Sequence, residues 1–460
     1  MDAGLESLDE DGLYSDLHLT AHRPLPMVQQ IRATIRTPCR TAQAHFGDAG
    51  ERLAGHSRIR RDSATIEAVV ALARGRAAVI EHKDRYMHVM ILGLRGIPGV
   101  QGGIETHVEQ LAPLLARNGV EVEVITRASY GRGEREWNGV RLTPIWAPLT
   151  DGVEALVHTL LGILYAAIKR PDLLHIHAVG PMLMVPVARF LGLRVVVTHH
   201  GPDYDREKWG PLARRLLRLG ERVGVKYSQG RIAISKLIQH HLWTAYGCKS
   251  TLIKNGVGAA RPGPGDPDVL RRFGLDGARY VLQVSRFVPE KRQTDLIRAF
   301  RAAGLPGWKL ALVGDVSGKT AYEREVRELC RDDPDVVLTG YRSGDELDAL
   351  YAHAGLFVLP SSHEGLPIAM LEALSYGLRV VASDIGPNLE VGLARGQYYP
   401  LGDVQALAGC LRSEAEHPPG ERDRAAIREW VLREYNWEEI AASTVEVYRS
   451  VADAGLVVEA

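Results

Sequence analysis

The 460-residue sequence predicts an α/β protein built from more than one doubly wound domain with parallel sheets. Three observations carry this. The length exceeds what a single core usually organises, and a hydrophobic content of 45% is ample for large cores. Short apolar runs that read as buried strands alternate with helical stretches, punctuated by Gly and Pro. One Pro/Gly-rich run, Arg261-Pro262-Gly263-Pro264-Gly265-Asp266-Pro267, separates two such series and reads as a linker.

Composition narrows the partners. The 56 basic and 56 acidic side chains cancel, so nothing global favours nucleic acid. Cys39, Cys248, Cys330 and Cys410 are scattered without a C-x-x-C pair, which argues against a zinc site or a disulfide framework and for reduced thiols in the cytoplasm. No apolar stretch reaches membrane-spanning length, and the N-terminus is acidic where a signal peptide would be basic.

Residues 1–86 are acidic and then arginine-rich, with helical character only over 65–82. Three readings stand: a mobile extension, a start assigned too far upstream, or a small regulatory helix. At Met87 the texture changes to a first buried strand, His88 to Gly93. The loop from Leu94 follows, containing Gly102-Gly103-Ile104-Glu105-Thr106-His107, and then an amphipathic helix runs to Arg117. Glycines let backbone amides approach a phosphate at a helix N-terminus, although such a loop is also an ordinary turn. The spacing is not G-x-G-x-x-G, so the dinucleotide fingerprint is absent.

Further parallel strands are expected at Glu121–Thr126, Leu173–Ala178 and Arg194–Gly201. His199 and His200 end the last of these. Adjacent strand residues face opposite ways and no third ligand is at hand in the sequence, so no metal is expected there. A structural histidine is the alternative to a cleft-facing one. Leu212–Lys226 reads as a helix with Arg214, Arg218 and Arg222 at four-residue spacing. That row suits either anionic lipid headgroups or plain solvent.

Lys254-Asn255-Gly256-Val257 follows a short strand, and the domain boundary is placed near residue 257, giving domains 87–256 and 257–436. The second opens with strand Tyr280–Val284 and the loop Ser285-Arg286-Phe287-Val288-Pro289-Glu290-Lys291. Two cations on a loop between strand and helix suit a diphosphate, the alternative being exposed surface charges. Strands are also expected at Lys309–Asp315 and Val336–Tyr341.

The stretch Ser361–Gly377 lies between strands Leu356–Pro360 and Arg379–Ser383, a parallel βαβ unit. Pro367 suits the first helical position and Gly377 the left-handed stop. Glu364 falls on the loop at the carboxyl edge of the sheet, where such sheets bind ligands. Glu372 falls one and a half turns into the helix with no basic neighbour at three or four residues. The plainer readings are a solvated or capping Glu364, and a Glu372 that is exposed or paired with Arg379.

His363-Glu364-Gly365-Leu366-Pro367 followed by Leu371-Glu372-Ala373 resembles the E-x7-E signature of retaining glycosyltransferases of the group 1 / family 4 type. The Gly-Gly-Ile-Glu-Thr-His segment is similar to theirs. So is Arg286 to Lys291, within their G-R-x-x-x-E-K segment, with Ser285 in place of the glycine. The resemblance covers about residues 87–453.

It implies the GT-B fold: two Rossmann-like domains facing a central cleft, with acceptor on the first, donor mainly on the second, and a helix over 437–453 crossing back. It places Glu364 and His200 at the transferred sugar, and Arg286 and Lys291 at the diphosphate. Glu372 is placed at the ribose, with Gly102, Gly103, Gly365, Leu366 and Asn255 around the donor. The implied co-substrate is a nucleoside-diphosphate sugar, UDP ahead of GDP, with no metal or other cofactor. The implied acceptor is a glycan or a lipid-linked one, in cell-surface polysaccharide or glycoconjugate synthesis, at the cytoplasmic face of an anionic membrane. A nucleotide-sugar epimerase and a silent sugar-nucleotide-binding partner are the rival readings. Base, sugar and acceptor depend on pocket shape, which motif spacing does not encode.

Overall fold

A computed structural model of the chain describes residues 86–456 apart from 132, 151–152, 207–208, 261–266 and 316–318. The expected N-terminal extension and almost all of the Pro/Gly run lie outside the described residues. Arg85–Ala460 forms one compact unit.

Two sheets organise it. The first holds β1 (Met87–Leu92), β2 (Val120–Arg127), β3 (Glu136–Trp137), β4 (Val140–Ile145), β5 (Leu173–His177), β6 (Val195–His199), β7 (Gly230–Ala233) and β8 (Thr251–Leu252). Their order is β3-β4-β2-β1-β5-β6-β7-β8, parallel except for the edge pair β3/β4. The second sheet holds β9 (Arg279–Val284), β10 (Trp308–Val313), β11 (Val336–Gly340), β12 (Leu356–Leu359), β13 (Val380–Ser383) and β14 (Tyr398–Tyr399). It is fully parallel in the order β11-β10-β9-β12-β13-β14.

Helices of eight residues or more are α1 (Gly103–Arg117), α2 (Val153–Lys169), α3 (Pro211–Tyr227), α4 (Lys236–Tyr246), α5 (Gln293–Ala303), α6 (Ala321–Cys330), α7 (Asp345–His353), α8 (Ile368–Ser375), α9 (Val404–Glu416), α10 (Glu421–Glu434) and α11 (Trp437–Leu456). The central strands are buried throughout, as β12 (Leu-Phe-Val-Leu) and β13 (Val-Val-Ala-Ser) show. Helices cover both faces of a parallel sheet, so its strands are apolar runs rather than alternating ones.

In a doubly wound sheet the ligand crevice opens where strand order reverses. In the first sheet that point is β1/β5, and in the second it is β9/β12. The loops after β1, β9 and β12 are the very segments that carry the glycines, Arg286 with Lys291, and Glu364.

Two features join the halves. Ile234 and Val257 share one core with Leu359, Leu366 and Met370, so apolar packing runs unbroken from one sheet to the other. The chain also crosses at one place in both directions: the Val257 amide donates to the Tyr435 carbonyl at 2.9 Å, and Val257 forms a parallel bridge with Asn436. From there α11 lies against α1, its Trp437, Ile440, Ala441, Val445 and Tyr448 entering the first domain's core.

Local expectations need small corrections. Pro367 is the N-cap of α8 rather than its first residue, because its ψ of 100° is still extended. Gly377 does take the left-handed conformation, with φ 72°. Arg379 pairs with Glu414 at 3.1 Å, so it is not the partner of Glu372.

Candidate active site

The loops converge on a cleft of about 870 Å³ between the halves. Gly102, Gly103, His200, Arg286, Lys291, Glu364, Gly365, Leu366, Glu372 and Asn255 all line it.

The glycine loop is held by an ion pair that its sequence does not announce. Glu105, in the first turn of α1, accepts from both the Arg95 amide and Arg95 Nε at 3.0 Å. A carboxylate there also suits the helix dipole. Gly102 makes room for this pair, since a Cβ would lie 2.0 Å from Glu105 Oε2.

Opposite stands the loop after β9. Arg286 has no ion-pair partner among the described residues. Burial lowers its pKa and the nearby cations Arg206 and Arg95 lower it further, while Glu105 and Glu290 pull the other way. A desolvated guanidinium whose neighbouring carboxylates do not offset burial and like charge has room for a further anion. Arg206 is itself tied to Asp203 at 3.0 Å, with Glu290 at 3.8 Å. Lys291 Nζ donates to Glu364 Oε1 at 2.5 Å. Both cations therefore face the cleft, which removes the reading of them as exposed surface charges. Ser285 fits where a glycine was expected: its hydroxyl accepts from Gln293 Nε2 at 2.9 Å. The close approach falls instead at Gly314, where a Cβ would meet the Ser285 carbonyl at 2.0 Å.

On α8, Glu372 Oε2 accepts from Tyr351 on α7 at 2.9 Å. Burial pushes its carboxyl up to about 7, against the opposing pull of the Tyr351 hydrogen bond. Neither the exposed reading nor the Arg379 reading describes it.

Gly365 marks where the halves meet. A Cβ there would lie 1.9 Å from the His200 carbonyl, and one on Gly201 would lie 3.3 Å from Gly365 Cα. Two glycines, one per domain, let the loops touch backbone to backbone.

Four histidines gather under this contact. His177 Nδ1 is 2.9 Å from His200 Nε2, and His175 bonds Tyr448 and Thr198 at 2.7 Å each. Asn255 Nδ2 donates to the Leu366 carbonyl at 2.9 Å, which turns its Oδ1 toward His107 Nδ1 at 3.0 Å. That network assigns the proton of His107 to Nδ1 and leaves Nε2 a lone pair. Burial drives His107 down to about 4 and His175 to about 3, and His177 and His200 well below their ordinary value, so all four are neutral at pH 7. His199 points the other way, its Nε2 2.6 Å from the fully buried Glu221. Opposite facing of the adjacent pair is as expected. The absence of a third imidazole is corrected: the fold brings His107 and His177 to His200, with nitrogens within 4.8 Å of one another.

Comparison with known proteins fixes the family. The profile of Glycosyltransferase Family 4 matches residues 101–261, and that of Glycosyl transferases group 1 matches residues 271–408. This chain belongs to the group 1 glycosyltransferases. Glycogen synthase of Mycobacterium tuberculosis is 27% identical over 405 residues, 79% of this chain and 94% of the relative. D-inositol 3-phosphate glycosyltransferase of Rhodococcus erythropolis is 28% identical over 418 residues, 81% of this chain and 93% of the relative. Among solved structures, sucrose-phosphate synthase from Thermosynechococcus elongatus superposes with a TM-score of 0.68 at 20% identity, covering 80% of this chain and all (100%) of that one. Anabaena Alr3699/HepE in complex with UDP and glucose gives 0.64 at 20% identity, covering 79% and 100%. These likenesses show the GT-B fold of two Rossmann-like domains, and the enzyme transfers sugars.

In this glycosyltransferase the residues that motif reading did not supply are Arg95, Arg206, His177 and Tyr351. His175 and His177 carried a usable signal, since a two-residue spacing on a strand puts both on one face. Arg95 and Arg206 carried none.

Proposed function

We propose that the enzyme moves a sugar from a nucleoside-diphosphate sugar, UDP ahead of GDP, to a glycan or lipid-linked acceptor, with retention of anomeric configuration. Cell-surface polysaccharide or glycoconjugate assembly is its setting. The observation that carries the donor reading is Arg286, a partly buried cation that contacts no carboxylate among the described residues, beside Lys291 and at the strand-order reversal of the second sheet. A departing diphosphate supplies the missing anion, and fixed donors aimed at developing charge are the largest lever such a site has. Arg286 and Lys291 take the diphosphate without a metal. Glu372 takes the ribose hydroxyls, and Glu364 with His200 the transferred sugar. The leaving phosphate assists attack from its own face, so Glu364 is not a nucleophile. UDP is favoured by the structural likeness to a protein solved with UDP and glucose.

The acceptor reading includes peripheral membrane contact through α3, which exposes Leu212, Leu216 and Leu219 beside Arg218 and Arg222. An apolar stripe flanked by arginines suits an anionic bilayer surface.

Mass spectrometry of products formed from a panel of sugar nucleotides and a native lipid or glycan extract tests the reading. It requires a new glycoside whose mass rises by one sugar residue. Epimerised donor without acceptor consumption would support the epimerase alternative instead, and no product from any donor would support the silent partner.

A further inference from the structure

Beneath the contact of Gly201 with Gly365, three imidazoles from three separate elements face one point: His107 from α1, His177 from the end of β5, and His200 just beyond β6. One nitrogen from each lies within 4.8 Å of the others. Their ring centres stand 5.0 Å (107 to 200), 5.2 Å (177 to 200) and 5.6 Å (107 to 177) apart. A zinc–nitrogen bond of about 2.1 Å puts each ring centre about 3.2 Å from the metal, so three rings of a tetrahedral set stand about 5.2 Å apart. The ring centres thus already have the separation of a three-histidine site.

Two further observations prepare the ligands. Asn255, locked by the Leu366 carbonyl, holds the Nδ1 proton of His107 and leaves Nε2 as a donor atom. This outer-shell bond is the kind that orients metal-ligating histidines. Buried His177 Nε2 has no hydrogen-bond partner among the described residues, so the proton of that ring has a second seat when Nδ1 is needed as a ligand. Of the three, His200 lines the cleft, while His107 and His177 are buried.

We propose that His107, His177 and His200 form an inhibitory site for a late first-row divalent cation of the zinc type, at the sugar end of the cleft. Imidazole donors select such ions over magnesium or calcium, which prefer oxygen. The ion is not part of the transfer reaction. Resting on the proposed placement of His200 at the transferred sugar, it competes with the sugar half of the donor.

The test is titration of the full-length protein with Zn²⁺ by calorimetry, and with Co²⁺ by visible absorption. One tight equivalent of Zn²⁺ is expected, together with the intense visible bands of tetrahedral Co²⁺. His107→Gln and His177→Leu, each checked for folding by circular dichroism, should each weaken Zn²⁺ binding at least tenfold. Zn²⁺ should also weaken donor binding, and EDTA restore it, with Mg²⁺ inert. A Co²⁺ spectrum without tetrahedral bands in the unaltered protein overturns the proposal without any variant. So does unchanged Zn²⁺ affinity in the folded variants. The metal titrations need neither donor nor acceptor, so their failure is separate from failure of the sugar-transfer reading.

Discussion

Lys291 Nζ stands 2.5 Å from Glu364 Oε1, joining the cation proposed for the diphosphate to the carboxylate proposed for the reacting sugar. Each neutralises the other. Donor binding must divide them, Lys291 turning to the phosphates while Glu364 is left to the sugar ring. Glu364→Gln therefore has two expected effects. It lowers kcat by about 10²-fold, the scale of one contact made in the transition state, with little change in donor KM. It also frees Lys291, so the nucleoside diphosphate product binds more tightly than to the parent enzyme. Steady-state kinetics with product-inhibition constants measure both. A looser product would show that the ion pair does not compete with the diphosphate.

The proposed ribose contact of Glu372 would be made equally in ground and transition states, so its removal should look different. Glu372→Gln should raise donor KM about tenfold and spare kcat, the size of one charge-assisted hydrogen bond. The pH dependence follows from burial, which pushes this carboxyl up to about 7. Below that value it is protonated and accepts poorly from ribose hydroxyls, so kcat/KM for donor should rise between about pH 6 and 8, and the variant should lack this limb. The sign for stability is opposite. A raised carboxyl pKa favours the folded state at low pH and loses that advantage as pH rises toward 7, so the variant should gain Tm relative to the parent over that range.

Gly365→Ala tests the meeting of the two halves. Its Cβ would lie 1.9 Å from the His200 carbonyl and 3.3 Å from Ile234 Cδ1, both across the contact between the halves. Relief comes from opening the cleft. A radius of gyration larger than the parent's in small-angle scattering is expected, with a lower Tm because opening loosens the core that Ile234 and Leu366 share, and with kcat/KM down by about 10²-fold, the cost of displacing a catalytic group by an ångström. An unchanged radius of gyration would locate the constraint inside one domain instead.

How much of this was legible follows the reach of each signal. Glu364, Glu372, Arg286 and Lys291 lie on loops and a helix start fixed by their own βαβ units, so local spacing sufficed to bring them to one cleft. The His107, His177 and His200 convergence needs the order β1-β5-β6 and the register of three strands, which no local pattern states. Asn255 was expected at the donor. Its amide is spent on His107 and the Leu366 carbonyl across the domain boundary, a role visible only once the halves are closed. Arg218 shows the same limit: it lies 5.1 Å over the Tyr204 ring and 3.9 Å from Asp205, where spacing had suggested only a row of cations.

The membrane reading gives its own outcome. Arg218→Glu with Arg222→Glu should weaken binding to phosphatidylserine vesicles, read by co-sedimentation, by about 30-fold or more, since each basic residue near such a surface contributes about 1 kcal/mol. Turnover of a soluble acceptor analogue should be unaffected. Equal vesicle binding by parent and variant would leave α3 as a solvated face.

The central claim is that cations of this chain, without a metal, carry the diphosphate away. The most direct measurement is nucleoside diphosphate release from a sugar nucleotide in excess EDTA, by the full-length parent and by Arg286→Ala and Lys291→Ala. The account predicts undiminished release by the parent and a loss of about 10²-fold or more in each variant. Release that EDTA abolishes and Mg²⁺ or Mn²⁺ restores, or that survives both substitutions, would contradict it.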